Sequence, residues 1–153
     1  NIKTKIIAIT GSCGKTTLKE LLGNSLKQIS TVGISPKSYN NKYGVPLSLF
    51  NLDQKNNYGV LEIGMDKKGE IDYLSKIVKP DVSVITNINY AHVKNFKNLK
   101  QIALAKSEII NNTKDNGFII LNGDDDFFNF HKDIALKKNL KILSFSIKSK
   151  NSF

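Results

Sequence analysis

The sequence predicts an α/β domain built on a mostly parallel sheet with helices on both faces. Strand-like apolar segments alternate with helix-like segments along the chain, which is typical of parallel strands joined by crossover helices. The first segment, residues 5–10, is built on a continuous apolar run, as in strands that are buried on both faces. A glycine-bearing turn leads from this strand into a helix. The length of 153 residues fits one domain with a sizeable core.

The other elements follow from the same patterns. We expect further strands at 58–63, 82–86, 118–121 and 142–145, and helices at about 15–29, 69–78, 99–111 and 125–138. Residues 33–43 have no clear period and contain Ser, Pro, Asn and Gly, so they are predicted to form a loop. A loop of this length in a compact domain is often functional.

Composition limits the classes of function. The formal net charge is +10, which raises the possibility of nucleic-acid binding. All the basic residues are scattered lysines, however, and Arg, the usual residue for bidentate contacts with phosphates and base edges, is absent. No apolar run approaches a membrane span, and no export leader is visible. The single cysteine, Cys13, cannot form an internal disulfide. These features favour a cytoplasmic protein without nucleic-acid or membrane partners, which we expect to be a monomer.

The clearest motif is a phosphate loop directly after the first strand. The pattern Gly-x-x-Gly-Lys-Thr begins at Gly11 and is a shortened form of the common P-loop, which would have a further glycine where Ile9 stands. Glycines let backbone N–H groups surround phosphate oxygens, and the helix N-terminus adds a positive dipole end. We expect the loop and the start of the helix to bind a nucleotide, through Gly11, Ser12, Cys13, Gly14, Lys15, Thr16 and Thr17.

Two further residues are predicted at the carboxyl edge of the sheet, where ligands bind in open α/β folds. Glu62 lies near the carboxyl end of a predicted strand and is a candidate Mg²⁺ ligand, the alternative being a carboxylate that reaches solvent. His92 follows the strand ending at Thr86, and the residues alone leave its role open. The second histidine, His131, lies among phenylalanines in a predicted helix and is interpreted as packing or surface.

Lys106 is unusual because it lies on the apolar face of its helix. Apolar residues at 99, 102, 103, 109 and 110 define that face, and position 106 belongs to it. A lysine there must extend to solvent, pair with an anion or change its chemistry. Burial would lower its pKa and make the neutral amine reactive towards carbon dioxide. A carbamylated Lys106 would be an anion suited to Mg²⁺.

Two other polar features have simpler interpretations. The acids Asp124, Asp125 and Asp126 are more consistent with capping the N-terminus of the next helix than with metal binding. Cys13 lies where a thiol pKa can fall, but no His or second Cys is placed to use it as a nucleophile.

Five segments in order resemble the Mur ligase family of peptidoglycan synthesis, across almost the whole chain. They are 10–17, 61–65 with 69–71, 85–92, 102–108 and 120–125; the family usually has Asn or Ser where this chain has Cys13. Residues 38–41 and 44–47 resemble the branch that adds D-alanyl-D-alanine. The resemblance implies an ATP-dependent ligase that joins D-alanyl-D-alanine to UDP-N-acetylmuramoyl-tripeptide through an acyl phosphate.

The resemblance also implies roles for individual residues. Lys15 would stabilise the γ-phosphate, and Thr16 would bind one Mg²⁺. Glu62 and His92 would bind a second Mg²⁺, with Lys106 supporting it as a carbamate. Contacts with the substrate are expected from Asn40 and Asn41, and contacts near the nucleotide from Asn87.

We expect residues 1–153 to be an incomplete central ATP-binding domain, without the family's N-terminal UDP-binding and C-terminal domains, and therefore inactive alone. Another ligase of the family, which adds the third residue, or a folylpolyglutamate synthase is the alternative. A P-loop GTPase would need an Asn-Lys-x-Asp base-reading motif, which the sequence lacks.

Overall fold

A computed structural model describes residues 4–90 and 95–148. Within these residues a six-stranded sheet has the order β2-β3-β1-β4-β5-β6, and each neighbouring pair of strands is parallel. The strands are β1 (Lys5–Thr10), β2 (Val32–Ile34), β3 (Tyr58–Glu62), β4 (Val82–Ile85), β5 (Phe118–Asn122) and β6 (Lys141–Phe145). The helices are α1 (Lys15–Lys27), α2 (Gly44–Phe50), α3 (Glu70–Val78), α4 (Leu99–Asn112) and α5 (Phe128–Lys137).

The sheet is covered on both faces, as the sequence predicts. Successive residues of a strand point to opposite faces, so Ile7 and Ile9 pack with the leucines of α1 while Ile6 and Ala8 enter the core on the other side. That second core also contains the buried apolar side chains of α3, α4 and α5. No helix within 4–90 and 95–148 has both the length and the apolar character needed to cross a bilayer.

Two elements were not predicted. The expected loop at 33–43 is partly wrong, because its first two residues belong to β2, a three-residue strand at the sheet edge. Three partly buried residues are too few to show a strand period. Helix α2 was missed because it contains Gly44 and Pro46, which are both poor helix formers. Pro46 is tolerated because it lies in the first turn, where N–H groups have no helical partner.

The interpretation of the three aspartates as a helix cap is also corrected. Helix α5 begins only at Phe128, its N-cap residue is Phe127, and no side chain caps it. Asp125 Oδ1 accepts from the N–H of Phe127, but its Oδ2 accepts from the N–H of Ile88, three residues after β4. Asp124 instead accepts from Ser146 and Ile147, after β6. These acids join loops at the carboxyl edge of the sheet.

Candidate functional site

The site lies where β1, β3 and β4 end. After β1 the chain continues to β2, towards one edge of the sheet, and after β4 it continues to β5, towards the opposite edge. Such a reversal opens a crevice at the carboxyl ends of the strands, which is where α/β proteins bind ligands. The phosphate loop begins directly after β1 and leads into α1, while Glu62, paired with Ile9, ends β3 beside it.

Gly11 allows the loop to pass close to β4. Its φ is +147°, and a Cβ at this position would lie 1.8 Å from Thr86 Oγ1. The Thr86 hydroxyl donates to the Cys13 carbonyl at 2.7 Å, which holds the loop against the end of β4. A larger residue at position 11 would push the two segments apart, so glycine is required here.

The residues after β4 form hydrogen bonds with the phosphate loop. Asn87 accepts from the Ser12 N–H through its carbonyl and from the Cys13 N–H through its side chain, both at 3.0 Å. The Ser12 hydroxyl donates to the Asn89 carbonyl and accepts from the Asn89 N–H, at 2.9 Å each. Asn87, expected near the nucleotide, thus holds the loop itself. Asn89 and Thr86 were not singled out from the sequence, because main-chain partners leave no recognisable spacing.

The start of α1 is open for an anion. Its N-cap residue, Gly14, has no side chain that could accept from the first turn, which is formed by Lys15, Thr16 and Thr17. The first N–H groups of a helix have no partner within it and point along the axis, so they can bind phosphate oxygens. The Lys15 ammonium folds back over the loop and donates to the Gly11 carbonyl at 2.9 Å.

Glu62 and Thr16 are in direct contact. Glu62 is 1% exposed, and its Oε2 accepts from the Thr16 hydroxyl at 2.7 Å. Its Oε1 accepts from the Asn40 side chain, also at 2.7 Å. No salt bridge to Glu62 occurs among the described residues, so this buried carboxylate has only neutral donors. The alternative of a solvent-exposed carboxylate is therefore wrong. A buried anion beside a hydroxyl has the oxygen ligands that Mg²⁺ prefers.

The two asparagines expected at the substrate already have partners in the fold. Asn40 donates to Glu62, and its carbonyl accepts from the Gly64 N–H at 2.7 Å. The Asn41 side chain accepts from the N–H groups of Tyr43 and Gly44 at 3.0 Å, at the start of α2. Both residues also line a cavity of about 890 Å³ beside Lys15. Their contact with a substrate stays a prediction.

Lys106 is buried, at 2% exposure, as its place on the apolar face of α4 predicts. No hydrogen bond or ion pair to its ammonium comes from the residues that the structure describes. Burial lowers the pKa of Lys106 to about 7, with a smaller lowering from the charge of Lys15 and an opposing effect of Cys13. Its amine is therefore available in the neutral form near neutral pH.

The two histidines differ in what can be said of them. His92 lies outside the described residues. His131 is buried in α5, and its Nε2 lies 3.1 Å from the Ala103 carbonyl, so its interpretation as packing is confirmed. Within 4–90 and 95–148 no three His, Cys, Asp or Glu side chains form a metal-binding group. A metal bound here would take other ligands from the nucleotide and water, as Mg²⁺ commonly does.

Comparison with known proteins decides the family. The family model of the Mur ligase middle domain matches residues 9–153. The chain belongs to the Mur ligase family. Among curated relatives of this Mur ligase chain, the UDP-N-acetylmuramoyl-tripeptide–D-alanyl-D-alanine ligase of Buchnera aphidicola (from Acyrthosiphon pisum) is 46% identical over 97% of the chain. The chain spans about a third of the length of the curated relatives it matches.

Solved structures agree with the sequence comparison. MurF from Acinetobacter baumannii matches with a TM-score of 0.90 and 41% identity, over 95% of this chain and 32% of that one. MurF from Thermotoga maritima, in complex with ADP, has a TM-score of 0.85 and 34% identity, over 95% and 33%. The expected resemblance to the D-alanyl-D-alanine-adding branch is confirmed.

The alternative branches match less well. A UDP-N-acetylmuramoyl-L-alanyl-D-glutamate–2,6-diaminopimelate ligase is 21% identical with a TM-score of 0.71, and a mutant of L. casei FPGS is 14% identical with a TM-score of 0.68. At these identities the likeness shows the fold alone.

Proposed function

We propose that the full-length protein carrying this chain is an ATP-dependent ligase that joins D-alanyl-D-alanine to UDP-N-acetylmuramoyl-tripeptide. The observation that carries the proposal is the contact of the Thr16 hydroxyl with the buried Glu62 carboxylate, beside an open helix N-terminus. The choice of substrates is supported by the names of the relatives, whose sequence similarity extends over almost all of this chain. Because ATP is the phosphoryl donor, we place the reaction in the cytoplasm.

The ATP site in this proposal is the phosphate loop. The N–H groups of the first turn of α1 would bind phosphate oxygens, and Lys15 would turn from the Gly11 carbonyl towards the γ-phosphate. The Thermotoga maritima relative was solved with ADP, which supports nucleotide binding by the full-length protein. Phosphoryl transfer depends mainly on positioning and charge neutralisation, and these groups supply both.

We infer Mg²⁺ at two positions. Thr16 and Glu62 already touch, so one ion could take both as ligands. His92 and Lys106 are our candidates for a second ion, which Glu62 would also approach. When bound, Mg²⁺ neutralises the charge that develops on the phosphates. The protein's own part is to hold Glu62 still, and Asn40 does this through its side-chain amide.

Lys106 would serve as a carbamate. Its neutral amine attacks the carbon of CO₂, a C–N bond forms as one C–O π bond breaks, and the nitrogen loses a proton to water. The product carries one negative charge where the lysine carried a positive one. Its burial supports this role, since an anion there can pair with a metal, whereas the cation has no partner within 4–90 and 95–148.

The reaction would then proceed in two steps. A carboxylate oxygen of the tripeptide attacks the γ-phosphorus, and the bond from that phosphorus to the β-phosphate oxygen breaks. The products of this step are ADP and an acyl phosphate. The amine of D-alanyl-D-alanine attacks the acyl carbon, and the tetrahedral intermediate releases inorganic phosphate and a proton. The cavity beside Lys15 supports an anionic substrate, since four lysines and two acids line it: Lys15, Lys42, Lys67, Lys68, Asp66 and Glu70.

Replacing the acceptor substrate of the full-length enzyme tests the proposal. ATP consumption should depend on D-alanyl-D-alanine, and diaminopimelate, lysine or glutamate should not replace it. A preference for a single amino acid would move the protein to another branch of the family. The same assay on Lys106→Ala should show loss of ligation and partial rescue by bicarbonate; full activity of Lys106→Ala would end the carbamate role.

A further inference from the structure

A second lysine, Lys19, is completely buried in α1, one turn after Thr16. Its ammonium donates to the carbonyls of Ser35, at 2.7 Å, and Lys37, and lies 3.1 Å from Glu20 Oε1. Two of its three donors thus have carbonyl acceptors, and the Glu20 carboxylate balances its charge. Lys19 therefore differs from Lys106, because protein oxygens surround its ammonium and hold it in place.

The two carbonyls belong to the segment 35–43, which connects β2 to α2 and carries Asn40. The segment has few other anchors near its start: Ser35 donates from its N–H to Val60 and accepts weakly, at 3.4 Å, from the Glu62 N–H. Lys37 has a φ of +46°, a conformation that residues other than glycine rarely adopt. Its carbonyl points at Lys19 in this conformation, so the buried ammonium stabilises an unfavourable turn.

The segment in turn determines where Glu62 points. Asn40 holds Glu62 Oε1, and the Asn40 carbonyl accepts from Gly64, two residues after Glu62. Thr16 holds the other carboxylate oxygen. Both oxygens are thus fixed to α1, one directly through Thr16 and one through Asn40 and the segment that Lys19 holds.

We propose that Lys19 is a positioning residue for Glu62: it anchors the segment 35–43 to α1, so that Asn40 directs the carboxylate at the metal and phosphate site. The proposal rests on the proposed function, because it treats Glu62 as a ligand for Mg²⁺ bound with the nucleotide. Lys19 touches neither substrate nor nucleotide in this role.

The test compares Lys19→Met with the wild type in the full-length protein. Methionine keeps the apolar stem and removes the ammonium. Lys27→Met is the matched control, since Lys27 is an exposed lysine at the end of the same helix. Two quantities are measured. The first is the rate of hydrogen exchange at the Gly64 N–H without ligand. The second is the ADP affinity by calorimetry, once with EDTA and once with Mg²⁺, and the difference is the Mg²⁺-dependent gain.

Lys19→Met should reduce the Mg²⁺-dependent gain in ADP affinity about tenfold, in the range found for residues that orient metal ligands. ADP affinity in EDTA should stay close to the wild-type value, and Gly64 should exchange faster. Lys27→Met should behave as the wild type. Combining Lys19→Met with Asn40→Ala should cause no more loss than Asn40→Ala alone, because both changes act on one chain of contacts.

A second pair of variants approaches the same contact from the segment, which protects the test if Lys19→Met does not fold. The Lys37 side chain is exposed, so changing it leaves the core intact. Lys37→Ile disfavours the positive φ and should lower the Mg²⁺-dependent gain, while Lys37→Gly removes the same charge but accepts that φ and should not.

The outcomes separate this inference from the proposed function. A wild-type protein whose ADP affinity does not respond to Mg²⁺ would contradict both. In the other case Mg²⁺ raises the ADP affinity of the wild type, and raises it equally in Lys37→Ile and in any folded Lys19→Met. That result would overturn only the role of Lys19.

Discussion

Two buried lysines lie on α1 and α4, and their surroundings differ. Lys19 on α1 has three oxygen partners, whereas Lys106 on α4 has none among the described residues. A buried cation without partners is unfavourable, so the protein favours the neutral form of Lys106. This is the physical reason for assigning Lys106 a chemical role and Lys19 a positioning role.

Lys106→Met should stabilise the protein in CO₂-free buffer, most strongly at low pH. The pKa falls from 10.5 to about 7 on folding, which corresponds to roughly 5 kcal/mol of lost stability when the lysine is charged in both states. Below pH 7 this cost is fully present. As pH rises from 7 towards 10.5, only the unfolded state keeps the proton, and the cost disappears.

Denaturant unfolding of both proteins between pH 6 and 9.5 measures the difference. We expect the gain from Lys106→Met to be a few kcal/mol at pH 6 and to shrink steadily with rising pH. Lys97→Met, at an exposed lysine ahead of the same helix, is the control and should show no such trend. A gain that does not change with pH would contradict the lowered pKa.

Gly11→Ala should destabilise the phosphate loop. The added Cβ would overlap Thr86 Oγ1, and the backbone at φ +147° disfavours a side chain, which together cost about 2 kcal/mol or more. Thermal unfolding measures the loss. Thr86→Ala removes the overlapping hydroxyl, so the Gly11→Ala and Thr86→Ala double variant should lose less than the two single changes added together. Full additivity would show that the two residues are not in close contact.

Burial of a lysine was predictable where the lysine lies on an apolar helical face, and not otherwise. Lys106 lies on a continuous apolar face of α4, which is visible in the sequence. Lys19 was not predicted, because its acceptors are main-chain carbonyls of a segment without a period. For the same reason the sequence could place Glu62 and Asn40 at one edge of the sheet, but not show that they bond to each other.

At the scale of elements, α3 and α4 are joined by a cap between helices. Gly69, the N-cap residue of α3, provides no side chain, and the Glu108 carboxylate of α4 accepts instead from the N–H groups of Gly69 and Asp72, at 2.9 and 3.0 Å. The family-like segments around Gly69 and Glu108 are thus two halves of one contact. An anion at a helix N-terminus is favourable for both hydrogen bonding and the dipole.

Glu108→Ala should therefore destabilise the protein by about 1–2 kcal/mol, which is typical for the loss of a helix cap. Glu108→Gln keeps one acceptor oxygen and should lose less. The two variants are compared by urea unfolding at pH 7. Equal losses in both would mean that the charge alone matters, and no loss in either would show that the contact contributes nothing to stability.

The succession of the main strands and helices along the chain could be predicted, because the strands are apolar runs and the helices have apolar residues at helical spacing. The carboxyl-edge site followed from that order, since parallel strands bring their ends together. Short elements were missed: β2 has three residues, and α2 contains a glycine and a proline. Both flank the segment that carries Asn40, so the least predictable part of the fold adjoins the site.

At the scale of the whole molecule, the net charge is +10, and the cavity is also positively charged because four lysines and two acids line it. A basic surface attracts an anionic nucleotide and an anionic precursor without requiring nucleic acid as a partner. The absence of nucleic-acid and membrane partners, the monomeric state and the extent of the domain stay predictions.

The most direct test of the proposed ligase is an isotope transfer in the full-length protein. UDP-N-acetylmuramoyl-tripeptide labelled with ¹⁸O in its reacting carboxylate is incubated with ATP, Mg²⁺ and D-alanyl-D-alanine, and the phosphate released is analysed by mass spectrometry. An acyl phosphate transfers one carboxylate oxygen to that phosphate, so we predict one ¹⁸O in each phosphate formed, with ADP as the other product. Unlabelled phosphate, or label recovered in AMP, would contradict the account.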